Sequence, residues 1–211
     1  TNTTIFNAYE QLTVRYARDI PELFKYNAFI VISDGVNNKY GTLFTEYEFF
    51  YSWKKINRED NEYEGIDSAL SLVKGMFNKS RLLKIINDFI YFPDNTNSDK
   101  KIICRYPQYY AVTKLHDNIL KNIKPKGEGK GGTYFGSTGS GKSLAMLFLS
   151  RILMKDKQLK NPTILLITDR TDLERQLSKL FVNSKNFLGD NKVKKILSRN
   201  DLKEELKNRL S

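Results

Sequence analysis

The sequence has a single cysteine and no long apolar run. Because Cys104 has no second cysteine to pair with, an internal disulfide framework is excluded and a reducing compartment is expected. The longest apolar runs, such as residues 28–32 and 164–167, are far shorter than the ~20 residues of a membrane-spanning helix. The chain starts at Thr1 rather than at Met and has no signal-peptide pattern. We therefore expect a cytoplasmic protein without a membrane partner, and a chain that is a piece of a longer protein.

Acidic residues are scarce in the second half of the chain. Residues 1–99 hold 11 Lys and Arg against 14 Asp and Glu, a net charge of −3, whereas residues 100–211 hold 24 against 10, a net charge of +14. A basic half of this kind is typical of proteins that bind a polyanion such as nucleic acid. A lysine-rich solvated surface explains the same balance, so charge alone leaves both interpretations open.

Hydropathy patterning divides the chain into two parts. Hydrophobic residues make up 40% of the sequence, which is enough for a packed core. The polar, turn-forming stretch 93–99 interrupts the apolar pattern, and we place a linker at 94–101 between domains at 1–93 and 102–211. The first domain has α+β signals, with predicted helices at 7–18, 45–54, 66–77 and 80–92, and predicted strands at 27–33 and 40–44 around the Asp34-Gly35 turn.

The second part alternates strand and helix signals. Pro107 suits the first turn of a helix that ends near Ile123, and a glycine-rich connector follows this helix. Beyond the connector the pattern predicts, in chain order, a strand, a helix, a strand and a helix, at 133–135, 142–154, 163–168 and 172–181. Thr171 and Glu174 form a capping-box pattern at the start of the last helix. This alternation predicts an α/β fold in which helices pack on a parallel sheet.

Residues 136–143 match the phosphate-binding P-loop (Walker A) pattern in full. Glycines allow backbone angles that a Cβ would forbid, so that the loop amides and the N-terminus of the next helix can surround a phosphate. Lys142 adds a positive charge for the β- and γ-phosphates, and the Ser143 hydroxyl is placed to ligate Mg²⁺. The candidate binding residues of the loop are Gly136, Thr138, Gly139, Ser140, Gly141, Lys142 and Ser143. The pattern predicts ATP or a related triphosphate with Mg²⁺, but kinases, transporters, GTPases and helicases all use it.

Two polar segments near the P-loop are further candidates. Thr168 and Arg170 follow the second predicted strand, where the carboxyl ends of parallel strands expose loops to ligands, and Arg170 is a candidate for contacting a phosphate backbone. Gln108 precedes the P-loop, and its amide can donate to and accept from one adenine edge at once. An ordinary surface arginine and an ordinary helix-start glutamine are equally open interpretations.

Three segments of the second half, at 105–112, 136–143 and 161–177, resemble the opening motifs of a superfamily 2 helicase motor. In the first half, a further set of segments resembles the restriction (R) subunit of type I restriction–modification enzymes just after its nuclease core: 8–12, 19–24, 26–27, 32–35, 41–42, 53–54 and 75–76. Generic helicases would not share the first half, so the narrower resemblance is favoured over most of the chain.

The resemblance implies an endonuclease domain of the PD-(D/E)xK type followed by two RecA-like motor domains. This chain would then contain the α+β C-terminal part of the nuclease domain and part of the first RecA-like, parallel-sheet P-loop domain. The resemblance also implies ATP- and Mg²⁺-dependent translocation along double-stranded DNA and distant DNA cleavage. Methyltransferase (modification) and specificity subunits would be its partners. Gln108 would read adenine, and Thr168 and Arg170 would face the DNA strand.

The chain departs from the family pattern in ways that limit what it does alone. No PD…(D/E)xK set and no acidic Walker B box is present in the sequence, so no catalytic residue is assigned and the piece by itself is expected to be inactive. Some relatives have a Gln-x₃-Tyr element, whereas Gln11 and Tyr16 are separated by four residues, which favours a helical packing or solvent role for Gln11. Two alternatives stay open: another superfamily 2 DNA or RNA helicase, and a P-loop module that senses nucleotide without motor activity.

Overall fold

The computed structural model describes residues 4–94, 100–189 and 193–210, which form a mixed α/β structure. The helices are α1 (Ile5–Glu10), α2 (Ala17–Asp19), α3 (Ser68–Leu70), α4 (Lys79–Asp88), α5 (Tyr106–Lys121), α6 (Lys142–Lys155), α7 (Thr171–Val182), α8 (Lys185–Leu188) and α9 (Arg199–Leu210). The strands are β1 (Ile30–Ser33), β2 (Asn38–Gly41), β3 (Ile90–Tyr91) and β4 (Ile102–Ile103). The 3₁₀ turns are Pro21–Phe24, Tyr47–Phe49, Gly65–Asp67 and Lys157–Leu159, and the π-helical turns are Gln11–Tyr16 and Ser71–Met76.

The hairpin predicted around the Asp34-Gly35 turn is confirmed. β1 and β2 pair in antiparallel register, with Ile30 opposite Gly41. The Asp34 carboxylate closes the turn by accepting the backbone amide of Val36 at 3.0 Å. Hydrogen bonding of an aspartate to backbone amides beyond it is the local chemistry that makes this residue favourable in turns.

Most predicted helices are present, although their ends differ from the prediction. The helical runs predicted at 7–18 and 66–77 are confirmed, and each contains a π-helical turn. The helix predicted at 80–92 ends at Asp88, because the next residues leave the helix and form β3, in which Ile90 lies opposite Ile103 of β4. Pairing between these two strands therefore shortens the helix.

The helix predicted at 45–54 is wrong. Only a short 3₁₀ turn forms at Tyr47–Phe49, and Tyr51 then pairs with Tyr40 of β2 through two backbone hydrogen bonds of 2.9 and 3.0 Å. Aromatic side chains suit such a half-buried, pleated surface, and the long-range pairing overrides the local helical spacing. Within this stretch Trp53 is buried, whereas Phe49 is exposed.

The predicted parallel sheet is absent from the described part of the chain, where both ladders are two-stranded and antiparallel. Residues 133–135 and 163–168 have no strand partner there, and Phe135 and Ile167 are 92% and 85% exposed. A strand forms only where a neighbouring strand completes its hydrogen bonds, and the described residues offer no such neighbour to these two runs. The flanking helices α5, α6 and α7, which need no neighbour for their backbone bonds, form close to the predicted positions.

A shared hydrophobic core contains residues from both sides of the predicted linker at 94–101. Tyr40 and Trp53 of the first part are buried in the same cluster as Val112 and Phe148 of the second part. β3 and β4 also pair across the linker. The division into two domains stays a prediction. The parts of the chain before and after the predicted linker pack against each other. No helix within the described ranges is long and apolar enough to cross a membrane.

Cys104 lies inside this core, as its position next to two isoleucines predicts. Its side chain is fully buried, and burial raises the pKa of the thiol above its usual range. Because the thiolate is the reactive form, we expect the native protein at pH 8 to react with an aromatic disulfide reagent more than about 100-fold more slowly than the unfolded protein. Reaction rates measured at increasing denaturant concentration check this, and a native rate equal to the unfolded rate would contradict the buried position.

Candidate nucleotide-binding site

The P-loop at 136–143 leads from the unpaired run 133–135 into α6. Gly139 and Gly141 have φ angles of +78° and +77°, in the left-handed region that side chains with a Cβ rarely adopt. The loop conformation therefore favours glycine at these two positions, as the sequence pattern predicts. α6 follows directly and is 14 residues long, so its N-terminal amides and dipole favour an anion at the loop.

Lys142 bends back over the loop from the first turn of α6. Its Nζ donates hydrogen bonds to the carbonyl oxygens of Gly136 and Ser137, both at 2.9 Å. These bonds fix the positive charge at the loop instead of leaving it in solvent. The charge and the helix N-terminus together form a local positive field that suits a phosphate group.

Gln108 is brought to the P-loop from 28 residues before it. Its side chain is 1% exposed. Its Oε1 accepts the Arg105 amide at 2.8 Å, and its Nε2 donates to the carbonyl oxygens of Gly141 at 3.0 Å and Ser140 at 3.4 Å. Both ends of the amide are thus engaged within the protein. The adenine-reading role stays a prediction, and an adenine edge would have to replace one of these bonds.

Arg105 lies at the loop although the sequence pattern does not single it out as a site residue. One guanidinium nitrogen lies 3.5 Å from the Gly139 carbonyl oxygen, at the outer limit of a hydrogen bond. The guanidinium carbon lies 3.8 Å from the centre of the Tyr51 ring, and another nitrogen donates to the Tyr51 hydroxyl. Arg105 is close in sequence to the predicted site residue Gln108. No sequence pattern relates Arg105 to Tyr51, which lies 54 residues earlier.

The hydroxyl groups of Ser140 and Ser143 differ in their surroundings. The Ser140 hydroxyl is buried and has no hydrogen-bond partner among the residues that the structure describes. Ser143 lies half-buried in the first turn of α6, and its hydroxyl oxygen is a ligand type that Mg²⁺ accepts. In the described ranges no group of three or more His, Cys, Asp or Glu side chains is arranged to hold a metal ion. The role of Ser143 as a ligand of Mg²⁺ that is bound together with a nucleotide stays a prediction.

Thr168 and Arg170 lie at the start of α7. The predicted capping box is wrong in detail, because Arg170 occupies the N-cap position, α7 begins at Thr171, and no side chain caps the helix there. Instead, the Thr168 hydroxyl accepts the Arg170 amide at 3.4 Å. The Arg170 side chain is exposed. Among the hydrogen bonds of the described residues, none joins Thr168 or Arg170 to the P-loop, so their role toward DNA stays a prediction.

Comparison with known proteins gives the family. Residues 1–49 match the family described as type I restriction enzyme R protein N terminus, and residues 107–211 match the SWI2/SNF2 ATPase family. The chain is also 34% identical, over 186 residues and 87% of its length, to the type I restriction enzyme HindI endonuclease subunit of Haemophilus influenzae. The chain belongs to the R proteins of type I restriction enzymes. The resemblance inferred from the motifs is thereby confirmed.

Two further relatives are also named endonuclease subunits of type I restriction enzymes. The chain is 31% identical over 183 residues, 78% of its length, to a putative type I restriction enzyme MjaIXP endonuclease subunit of Methanocaldococcus jannaschii. It is 26% identical over 183 residues, 84% of its length, to the type I restriction enzyme SauCOLORF180P endonuclease subunit of Staphylococcus aureus. The chain spans 17%, 17% and 18% of the lengths of these three relatives.

Proposed function

We propose that the chain is the nucleotide-holding part of an ATP-dependent R subunit that translocates along DNA and cleaves it. The observation that carries the proposal is the conformation of the loop at 136–143. Gly139 and Gly141 take left-handed backbone angles, and Lys142 bends back over the loop carbonyls. This loop lies in a segment that matches SWI2/SNF2 ATPases, in a chain whose relatives are named endonuclease subunits.

The proposed role of each residue follows from its chemistry. The loop amides and Lys142 bind the triphosphate oxygens, and the Ser143 hydroxyl is one oxygen ligand of Mg²⁺. Bound Mg²⁺ would neutralise charge on the β- and γ-phosphates. Gln108 reads the adenine edge, after exchanging its bond to the Gly141 carbonyl or to the Arg105 amide for bonds to the base.

The proposal includes a fold for each half. Residues 102–211 are taken as the N-terminal part of a RecA-like motor domain. Support comes from the two unpaired apolar runs, 133–135 and 163–168, which stand in the strand–loop–helix–strand order of that fold around the P-loop and α6. Residues 1–93 are taken as the C-terminal part of a PD-(D/E)xK nuclease domain, and the match at 1–49 to R-protein N termini supports this.

The proposed partners are those of a type I restriction complex in the cytoplasm: double-stranded DNA, the methyltransferase subunit and the specificity subunit. ATP hydrolysis by the full-length protein, measured with and without double-stranded DNA, tests the proposal. We expect DNA to stimulate hydrolysis, and ATP-dependent DNA cleavage to require the two other subunits. Equal, slow hydrolysis with and without nucleic acid would favour a nucleotide-sensing module instead. Stimulation without cleavage in the reconstituted complex would favour another superfamily 2 helicase.

Arg170 tests the DNA side of the proposal. Its exposed guanidinium lies at the N-cap of α7, where the helix N-terminus also favours a phosphate. Arg170→Ala is expected to weaken DNA binding to a similar extent for all sequences and to reduce the slope of log K against log salt concentration by about one unit. Arg175→Ala removes the same charge from an exposed position further along α7 and should leave the slope unchanged. A changed sequence preference at constant slope would contradict a phosphate contact.

A further inference from the structure

One side chain, that of Arg105, joins the first half of the chain to the P-loop. Its guanidinium carbon lies 3.8 Å from the centre of the Tyr51 ring, and it donates to the Tyr51 hydroxyl. On its other side it reaches the Gly139 carbonyl oxygen at 3.5 Å. An arginine stacked on an aromatic face and hydrogen-bonded at the same time has lost most of its rotational freedom, so the position of Tyr51 determines the position of the guanidinium.

Tyr51 is itself held in place by the N-terminal hairpin. Its backbone exchanges two hydrogen bonds with Tyr40 of β2, at 2.9 and 3.0 Å. The Tyr40 side chain is fully buried, and its hydroxyl donates to the carbonyl oxygen of Cys104 at 2.9 Å. Because Cys104 directly precedes Arg105, the hairpin fixes both the backbone and the side chain of Arg105.

The contacts at the start of α5 orient the peptide groups of the P-loop. Arg105 approaches the Gly139 carbonyl, and Gln108 donates to the carbonyls of Ser140 and Gly141. In a trans peptide the next N–H points away from the carbonyl. The amides of Gly141 and Lys142 therefore point away from α5, whereas the Ser140 amide, which belongs to the Gly139 peptide, donates to the Ser137 carbonyl oxygen at 3.2 Å and closes the loop on itself. Arg105 and Gln108 thus hold the backbone of a loop whose remaining amides can bind an anion.

We propose that Tyr51 is a positioning residue for the nucleotide site, which acts through Arg105 on the Gly139 peptide and makes the first half of the chain a determinant of nucleotide affinity. This inference rests on the proposed function, because it assumes that the loop binds a nucleoside triphosphate. Coupling of this kind is reciprocal, so nucleotide bound at the loop also stabilises the contact between the hairpin and α5.

The test measures the affinity of the full-length protein for a fluorescent ATP analogue with Mg²⁺. Tyr51→Ala is expected to raise the Kd of the analogue about 5- to 10-fold. Tyr51→Phe, which keeps the ring and loses the hydroxyl, should raise it less. In an Arg105→Ala background, Tyr51→Ala should change the Kd by less than about twofold, since the residue through which it acts is gone. Tyr26→Ala, at a ring that is 90% exposed, is the matched control and should leave the Kd unchanged.

Two results would overturn the proposal: an unchanged Kd in Tyr51→Ala, or an equal increase with and without Arg105, which would mean that Tyr51 acts through general stability. If Tyr51→Ala does not fold, the same comparison is made with Tyr51→Phe in the presence and absence of Arg105. Lys142→Ala separates this inference from the function on which it rests. If that variant binds the analogue as tightly as the wild type, the nucleotide site itself is misassigned, whatever Tyr51 does.

Discussion

Replacing Lys142 with alanine is expected to lower DNA-stimulated ATP hydrolysis by the full-length protein about 10²- to 10³-fold, the usual cost of removing one transition-state contact. Two losses combine in this variant. The charge that addresses the β- and γ-phosphates disappears, and so do the two hydrogen bonds that tie α6 to the carbonyls of Gly136 and Ser137. Steady-state hydrolysis on double-stranded DNA measures the loss, and undiminished turnover would contradict the assignment of the loop.

A matched control for this variant comes from the end of α6. Lys157→Ala removes the same charge from an exposed position just after the helix, away from the loop, and should leave hydrolysis unchanged. Thermal unfolding then separates lost binding from lost folding. ATP at 100 times its Kd should stabilise the wild type by about 2.7 kcal/mol, and Lys142→Ala at the same concentration should gain little.

The elements that the sequence predicts well are those formed by local interactions. The Asp34 turn, α5 and α6 depend on hydrogen bonds within a few residues, so their signals are contained in short windows. The stretch at 45–54 has helical spacing as well, but its backbone pairs with Tyr40, and no window of that length contains the partner. The parallel sheet fails as a prediction for the same reason, because a strand depends on residues remote in sequence.

The features of the candidate site also divide into those that a local sequence pattern predicts and those that depend on remote residues. The P-loop and the left-handed angles at Gly139 and Gly141 follow from an eight-residue pattern. The chemistry of its amide predicts Gln108 as a site residue, and in the structure this amide donates to the Gly141 carbonyl oxygen of the loop. The contact between Tyr51 and Arg105 has no sequence signal, because it depends on the hairpin packing against the start of α5.

The second large effect, on the affinity for ATP, is expected from a substitution of Gly141. Gly139 and Gly141 have nearly the same φ, so an alanine at either position has the same left-handed strain of about 1–2 kcal/mol. Their surroundings differ. A Cβ at Gly139 meets no atom within 4 Å, whereas a Cβ at Gly141 lies 2.2 Å from Nε2 of Gln108. Gly139→Ala is therefore the control for strain alone, and Gly141→Ala also displaces the buried Gln108 amide from its hydrogen bonds to the loop carbonyls, at a cost of about 1–3 kcal/mol.

Nucleotide binding requires the native loop conformation. A substitution that destabilises this conformation therefore weakens the affinity for nucleotide by the same free energy. Each 1.4 kcal/mol corresponds to about a tenfold change in Kd. We expect Gly139→Ala to raise the Kd for ATP about 10-fold and Gly141→Ala to raise it about 5- to 100-fold further. In a Gln108→Ala background the clash is removed, so Gly141→Ala should cost no more than Gly139→Ala does. If the two glycine variants still differ there, the contact between the new Cβ and Gln108 is not the cause of their difference.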